Sequence, residues 1–337
     1  MEARSAPSFF QSWSWIGCLA AERFPNPRLL AAQIDGQDVA LALFNRGRSR
    51  FSPATLWLGE SGSPAFDALY IEHNGVLAAH GHDGMPAMCL ATALRHASRL
   101  VLSGVDDAQL QAARQTHAVA RLMKSQRSPF VDLTSLPEGG YLAGLSANTR
   151  YQLRRSAKRY ATRGNLVLHR ATTREGAMSV LDDLARLHQA TWTARGRPGA
   201  FANPAFRRFH EALILAALPL GEIDLLRITA GKTLVGCLYN FRHRGRVLAY
   251  QSGFDHRGAD THEKPGLTCH HLAIEAARSD GMARYDFLAG NDRYKTSLAS
   301  DVTTLHWLDL TPRWSLRGIA TRLQAGLAPG PVAAVLD

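Results

Sequence analysis

The clearest hydrophobic pattern lies in the C-terminal half of the chain. Apolar residues recur there at the 3.6-residue spacing of a helix or in the short runs and alternations of strands. The pattern predicts eight elements in order: helices over 177–193 and 204–217, strands over 223–228, 233–241 and 247–253, a helix over 265–281, and strands over 283–288 and 303–310. Helices alternating with strands in this way are typical of an α/β domain.

The N-terminal half repeats part of this pattern. A hairpin with a glycine-containing turn is predicted over 29–45, and it resembles a second hairpin over 225–240 in spacing. A duplicated unit and a chance likeness of two hairpins both explain this similarity. The other elements expected in this half are strands near Leu56, over 68–72 and over 100–103, and a helix over 86–97.

The length of 337 residues fits two domains of ordinary size. We expect an N-terminal half over 1–145, a connecting helix over 146–164, a C-terminal catalytic domain over 165–312 and an amphipathic tail over 313–337. The tail is apolar through Trp314, Ile319, Leu323 and Leu327. It is predicted to pack on the body of the protein, and a lipid surface is the less common alternative for such a helix.

Composition narrows the class of protein. Hydrophobic residues make up 46% and charged residues 20%, as in a folded globular chain, and no apolar run is long enough for a membrane span. The four cysteines are scattered among apolar neighbours, and no signal-peptide pattern opens the chain. We therefore expect a cytoplasmic protein without a metal, and its oligomeric state stays open.

Positive charge is concentrated in one segment. The net charge is +11, and no acidic residue occurs between Glu138 and Glu175, where eight arginines and lysines fall. Such a segment attracts an anionic partner, such as a phosphorylated cofactor, an acidic carrier protein or a nucleic acid, although a solvated helix face explains it equally well.

A family resemblance rests on the string Tyr285-Asp-Phe-Leu-Ala-Gly-Asn-Asp-Arg-Tyr-Lys295, on the arginine-rich helix and on the opening Phe-Phe-Gln-Ser. The string is similar to the signature of the CelD-like, or BioF2-like, acetyltransferase family of the GNAT superfamily, and the helix and the opening resemble the corresponding segments of that family. Ala289 and the Asn-Asp pair depart from that signature. The resemblance implies a tandem GNAT-like α/β fold, with two mixed sheets flanked by helices. It also implies transfer of an acyl group from an acyl-CoA or acyl-carrier thioester to a small-molecule or glycan amine.

Two other functions remain open at this stage. The tandem architecture also resembles the FemABX transferases, which take their group from aminoacyl-tRNA. A non-catalytic nucleic-acid-binding protein is the alternative from another class, but no nucleic-acid-binding motif is present. Nucleic acid is thus expected only as tRNA, and an acyl carrier protein is a further expected partner.

The candidate catalytic residues carry groups that acyl transfer needs. Asp286 is a candidate to orient or deprotonate the amine, Tyr294 to protonate the leaving thiolate, and Lys295 to neutralise an oxyanion. His270 is a candidate base because a neutral imidazole accepts protons near pH 7. Each has a structural alternative, such as a strand-end hydrogen bond for the aspartate or an ordinary core position for the histidine.

Donor and acceptor contacts are expected on either side of these residues. The resemblance implies that the pantetheine arm lies in a splay between the strands 247–253 and 283–288, with the phosphates at the start of the next helix. The residues assigned to the donor are Gln251, Lys264, Gly266, Leu267, Arg150 and Arg154. Those assigned to the acceptor are Trp192, Arg195, Phe201, Asn291 and Asp292, whose rings and charges suit a sugar or a phosphorylated amine, although the rings suit a core as well.

Overall fold

The computed structural model describes residues 1–22, 26–47, 54–290, 292–327 and 335–336. Two compact units divide the chain: unit 1 comprises residues 1–126 and 304–337, and unit 2 comprises residues 127–303. The helices are α1 (Trp13–Glu22), α2 (Met85–Arg95), α3 (Asp107–Arg114), α4 (Ala147–Ala161), α5 (Arg174–Ala194), α6 (Pro204–Ala217), α7 (Pro265–Ser279), α8 (Arg293–Leu298) and α9 (Leu316–Leu327).

The strands lie between or after these helices along the chain, singly or in runs of up to four. They are β1 (Pro27–Ile34), β2 (Gln37–Arg46), β3 (Thr55–Leu58), β4 (Leu77–Ala78), β5 (Arg99–Val105), β6 (Val119–Asp132), β7 (Leu166–Arg170), β8 (Ile223–Ala230), β9 (Thr233–His243), β10 (Arg246–Phe254), β11 (Arg284–Asp286), β12 (Asp301–Thr311) and β13 (Val335–Leu336). The unit boundaries fall inside β6 and β12, so each of these strands has residues in both units.

Unit 1 is built on the hairpin β1–β2. The hairpin is followed across the unit by β3 and β5, with β2 and β3 antiparallel and β3 and β5 parallel. Helix α2 packs on β2 through its apolar face, and Leu90 and Phe44 lie in the resulting core. The apolar periodicity of α2 therefore buries one face of this mixed sheet.

Unit 2 repeats the strand order. The hairpin β8–β9 is followed by β10 and then by β11, and the last pair is again parallel. Helix α4 buries Thr149, Leu153, Ser156 and Tyr160, which recur at helical spacing, and thereby turns its arginines outward. Both units thus have the same sequence of hairpin, strand, helix and parallel strand, as the two similar hairpins in the sequence suggested.

The predicted α/β class, with mixed sheets and flanking helices, is confirmed, and the predicted elements of unit 2 lie within a few residues of their observed positions. The strand predicted over 68–72 is wrong. Leu69 and Ile71 are buried there without a strand, and Tyr70 between them has a positive φ of 52°. Burial in an irregular segment produced the apolar pattern of a strand.

Two further expectations differ from the structure. Contacts place the connecting helix α4 inside unit 2 and return residues 304–337 to unit 1, whereas the sequence suggested boundaries at 145, 164 and 312. The predicted packing of the tail is also wrong, because Trp314, Leu316 and Leu323 are 79%, 90% and 63% exposed. None of the helices in the described ranges is both long and apolar enough to cross a membrane.

Candidate functional site

The parallel pair β10–β11 separates after three residue pairs. Arg246, Val247 and Leu248 face Arg284, Tyr285 and Asp286, and β10 then continues to Phe254 after β11 has ended. A register shift in the β9–β10 pairing between Ala249 and Gln251 marks the same point. The edge of β10 beyond Leu248 therefore offers backbone donors and acceptors to a molecule rather than to β11. This separation of β10 from β11, called the wedge below, is the one that the family resemblance implied.

Asp286 fixes the point of separation. Its carboxylate is buried, forms an ion pair with Arg284 at 2.7 Å, and accepts hydrogen bonds from the Ser128 hydroxyl at 3.1 Å and the Leu288 amide at 2.8 Å. Leu288 has a positive φ of 60°, so the backbone turns sharply as it leaves the strand. The carboxylate thus holds a strained turn that directs the following loop away from β10.

A cavity of about 790 Å³ opens where the strands part. Its wall is formed by α4, α5, the far half of β10, the start of α7 and α8, all in unit 2. Ten of the predicted site residues line it: Trp192, Arg195, Gln251, Lys264, Gly266, Leu267, His270, Asp292, Tyr294 and Lys295. The volume suits a ligand the size of a cofactor or drug.

The first turn of α7 forms one end of the cavity wall. Pro265 has no N–H, and the N–H groups of Gly266 and Leu267 lie in the first turn, where a helix offers no acceptor. The N-cap residue Lys264 makes no side-chain capping bond, and its own amide donates to Ser156 of α4 at 2.9 Å. Because this helix end is positive, it suits an anionic group of a ligand.

His270 lies one turn further along α7 and is buried. Its Nδ1 lies 2.9 Å from the Tyr285 hydroxyl, and its ring stacks on Tyr294 at a centroid distance of 5.1 Å. Burial, with a contribution from the Lys295 charge, lowers the pKa of His270 from 6.5 to about 3. An imidazole of such low basicity stays neutral, so the predicted role of His270 as a base does not fit its surroundings.

Tyr294 and Lys295 are also engaged by the fold. Burial raises the pKa of Tyr294, so its hydroxyl is a neutral donor at the cavity wall. The Lys295 ammonium donates to the carbonyl oxygens of Leu288 at 3.3 Å and Ala289 at 2.9 Å, which ties α8 to the loop after β11. Tyr294 is therefore better placed for proton transfer than Lys295.

Two histidines of the wall were not predicted. His188, one turn before Trp192 on α5, has Nδ1 3.2 Å from the Ser252 carbonyl and accepts a hydrogen bond at Nε2 from the Ala200 amide at 3.3 Å. The first contact is with β10, and the second is with the segment between α5 and α6. His256 follows β10, and partial burial and the Arg195 charge lower its pKa. The i, i+4 spacing of His188 and Trp192 was the available sequence signal.

The other predicted residues within the described ranges lie away from the cavity wall. Asp286 is enclosed by its partners, and Phe201 packs against Phe206 at 5.1 Å. Arg150 donates to the carbonyl oxygens of Leu145 and Ala143 and thereby caps a preceding turn. Arg154 is exposed on the outer face of α4. Asn291 lies outside the described residues. In the described ranges, no three metal-binding side chains cluster.

Unit 1 closes the corresponding gap with its own chain. Beyond the last β3–β5 pair, the Asn74 amide nitrogen donates to the Gly104 carbonyl at 3.1 Å, and its side chain donates to the Leu58 carbonyl at 2.8 Å. A Cβ at Gly104 would lie 2.3 Å from the Ile71 carbonyl, so this segment packs directly on the strand. Asn74 therefore bridges both strands where unit 2 has a cavity.

Comparison with known proteins agrees with this geometry. Residues 147–296, from the start of α4 into α8, match a family model described as an acetyltransferase (GNAT) domain. The matched stretch contains the whole cavity wall except Ser297. No curated protein shows a significant match to the sequence.

Several solved structures share the fold. FemX superposes with a TM-score of 0.63 at 11% identity, covering 95% of each chain. The C-terminal domain of a putative lysylphosphatidylglycerol synthetase from Agrobacterium fabrum gives 0.58 at 11% identity, covering 94% of this chain and 91% of that one. The structure titled L-PGS from Bacillus licheniformis gives 0.56 at 10% identity, covering 91% and 95%. At such identities the likeness concerns the fold.

The fold, the cavity and the matched domain together indicate that the protein is of the acyltransferase class. The parted parallel strands, the helix start beside them and the matched domain are its features. The chain contains a GNAT-type acetyltransferase domain over residues 147–296, and it shares its fold with FemX.

Proposed function

We propose that the chain is a cytoplasmic N-acyltransferase of the CelD-like type. It moves an acyl group from a thioester, carried by coenzyme A or an acyl carrier protein, to an amine in polysaccharide, lipid or small-molecule biosynthesis. The observation that supports this most directly is the parting of β10 from β11 beside the start of α7. An extended amide-containing arm hydrogen-bonds to a free strand edge, and a phosphate accepts hydrogen bonds from a helix N-terminus.

The reaction needs positioning and one proton relay. The amine nitrogen attacks the thioester carbonyl carbon, the C–S bond breaks, an amide forms, and the nitrogen's proton replaces the lost bond on sulfur. Tyr294 supplies a neutral hydroxyl for the departing thiolate. His256, whose pKa is lowered by burial and by Arg195, is a neutral base for the amine proton. Trp192 and Arg195 stack at 5.5 Å and flank the acceptor side.

A second candidate donor is aminoacyl-tRNA. Two observations favour it: the FemX fold, and the outer face of α4, where Arg154, Lys158 and Arg159 are exposed. A polyanion binds such a face through many phosphates at once. The acyl end of either donor would occupy the same cavity. The two proposals therefore differ in the part of the donor that lies outside the cavity.

The test is a donor panel with the full chain. Thiol release from acyl-CoAs and acyl carrier proteins in the presence of amines is expected, with turnover reduced about 100-fold in Tyr294→Phe. Tyr70→Phe, an exposed tyrosine of unit 1, is the matched control and should be unaffected. Turnover only with charged tRNA would establish the second donor. Retention of RNA without any turnover would contradict both.

A further inference from the structure

Helix α9 places its apolar face outward. Leu316, Ile319, Ala320 and Leu323 recur at i, i+3, i+4 and i+7, so they share one side of the helix. All four are exposed, with Leu316 at 90% and Leu323 at 63%. A surface helix normally buries this stripe, so the orientation is the reverse of the usual one.

The opposite face of the helix is turned inward. Gly318 is buried and Thr321 is half-buried, so small residues face the protein. The start of the helix is well defined, because Ser315 accepts a hydrogen bond from the Gly318 amide at 3.0 Å and its hydroxyl donates to the Pro312 carbonyl at 2.8 Å. A Cβ at Gly318 would lie 2.3 Å from that carbonyl, which holds the helix close to the preceding turn.

Charge around the apolar face has a single sign. Between residues 310 and 336 there is no aspartate or glutamate, while Arg313, Arg317 and Arg322 are present. Trp314, which is 79% exposed beside Arg313, lies just before the helix. An aromatic residue with flanking arginines is typical of helices that lie in a membrane interface.

We propose that α9 docks the protein on the surface of an anionic phospholipid membrane, with Trp314, Leu316, Ile319 and Leu323 entering the headgroup layer. The arginines select this occupant. Two copies of the helix, packed face to face, would bring like charges together, whereas anionic lipid headgroups complement them. The helix has 12 residues and lies on the surface rather than spanning the bilayer. This goes beyond the proposed acyl transfer, which needs no membrane.

The experiment is vesicle flotation with the full chain. Vesicles of phosphatidylcholine with one part in three phosphatidylglycerol should carry the protein, and vesicles of phosphatidylcholine alone should carry much less. Leu316→Ser with Leu323→Ser should weaken binding about tenfold or more, because both side chains lose their apolar contact with lipid. Leu220→Ser, a leucine of unit 2 that is 68% exposed, is the matched control and should bind like the unmodified chain.

Tryptophan fluorescence gives an independent readout. Binding should shift the emission to shorter wavelength, and Trp314→Phe should remove most of that shift among the six tryptophans. The proposal is overturned if anionic vesicles fail to carry the protein, or if the double serine variant still floats. It is also overturned if the unmodified chain dimerises without lipid and the variant is monomeric, since a second copy would then cover the face. Acyl transfer measured in solution is independent of each of these outcomes.

Discussion

At the scale of single residues, Asp286 illustrates how a chemically suggestive residue acquires a structural role. Its carboxylate is 1% exposed and bonds to Arg284, Ser128 and the Leu288 amide. A base must reach its substrate, whereas this carboxylate holds the turn that opens the wedge. Asp286 therefore positions the site through the backbone instead of contacting the amine.

Asp286→Asn should consequently lower the free energy of unfolding, with a smaller effect on the rate of acyl transfer by the folded protein. Removing the negative charge leaves the Arg284 guanidinium, whose side chain is 16% exposed, without its partner. Loss of one member of such a buried pair costs about 3 kcal/mol, which urea unfolding would measure. The double variant Arg284→Gln with Asp286→Asn should recover part of the loss. If the Asp286→Asn protein were stable but had no turnover, that result would support the predicted catalytic role of Asp286.

His270 makes a prediction about acid stability. Its pKa is about 3 in the folded protein and 6.5 ordinarily, because burial opposes protonation. Between these values the unfolded chain binds a proton that the folded chain does not, so stability falls as pH decreases from 6.5 towards 3. His270→Gln should lose less unfolding free energy between pH 7.5 and pH 5 than the unmodified chain. Equal losses in urea titrations would show that His270 is protonated in the fold.

At the scale of elements, the packing of α5 on β10 shapes one side of the cavity. A Cβ at Gly253 would lie 2.6 Å from the Leu184 carbonyl and 2.9 Å from the Leu187 Cβ, so the helix and strand must separate to admit it. Helix α5 carries Trp192 and His188 into the cavity wall. The distance between these two elements is thus set by a residue without a side chain.

Gly253→Ala should destabilise the protein by about 1–3 kcal/mol, because the backbone carbonyl of α5 cannot move aside as a flexible side chain would. Gly84→Ala is the matched control: nothing lies within 4 Å of its Cβ position, and its φ of −78° suits any residue. Thermal unfolding of both variants checks the comparison. A Gly253→Ala protein as stable as the control would mean that α5 and β10 are not closely packed.

The basic helix α4 distinguishes the two donors. Arg155 borders a second cavity of about 350 Å³ together with Tyr151 and Lys264, whereas Arg154 is exposed and lies outside it. Arg155→Glu should weaken the binding of a coenzyme A donor about tenfold, and Arg154→Glu should change it little, because only the first charge is close to the helix start. Calorimetric titration measures both. Equal losses in the two variants would favour a polyanion that covers the whole face.

The sequence predicted elements better than it predicted contacts. Strands β8, β9 and β10 and helix α7 were identified because their apolar periodicity is local. The loop at 68–72 was mistaken for a strand because buried apolar residues look alike in either conformation. A strand-end hydrogen bond was among the alternatives for Asp286, and its bond from the Leu288 amide is of this kind. The bond from Ser128, which is 158 residues away, and the bonds of Lys295 to backbone carbonyls were not predicted. Such contacts depend on tertiary packing.

At the scale of the whole molecule, charge is distributed unevenly. The net charge is +11, and two segments without acidic residues, 139–174 and 310–336, together contain many of the arginines. The first contains α4 beside the cavity of unit 2, and the second contains α9 of unit 1. The same excess of positive charge thus serves two proposed anionic partners, a donor and a lipid surface.

The dependence of affinity on ionic strength should distinguish a coenzyme A donor from an aminoacyl-tRNA donor in the intact protein. Each phosphate neutralised on a polyanion releases counterions, so an aminoacyl-tRNA that makes six to ten phosphate contacts should lose about 10³–10⁵ in affinity between about 50 and 200 mM salt. A coenzyme A donor carries few phosphates and binds partly in a cavity, so its affinity should fall by less than about tenfold. Equilibrium titration of each donor across this range measures the slope. Replacing both Arg154 and Arg155 with Glu should reduce the slope of log affinity for tRNA against log salt concentration by about two, because about two phosphate contacts are lost. An unchanged slope would place the RNA elsewhere on the surface.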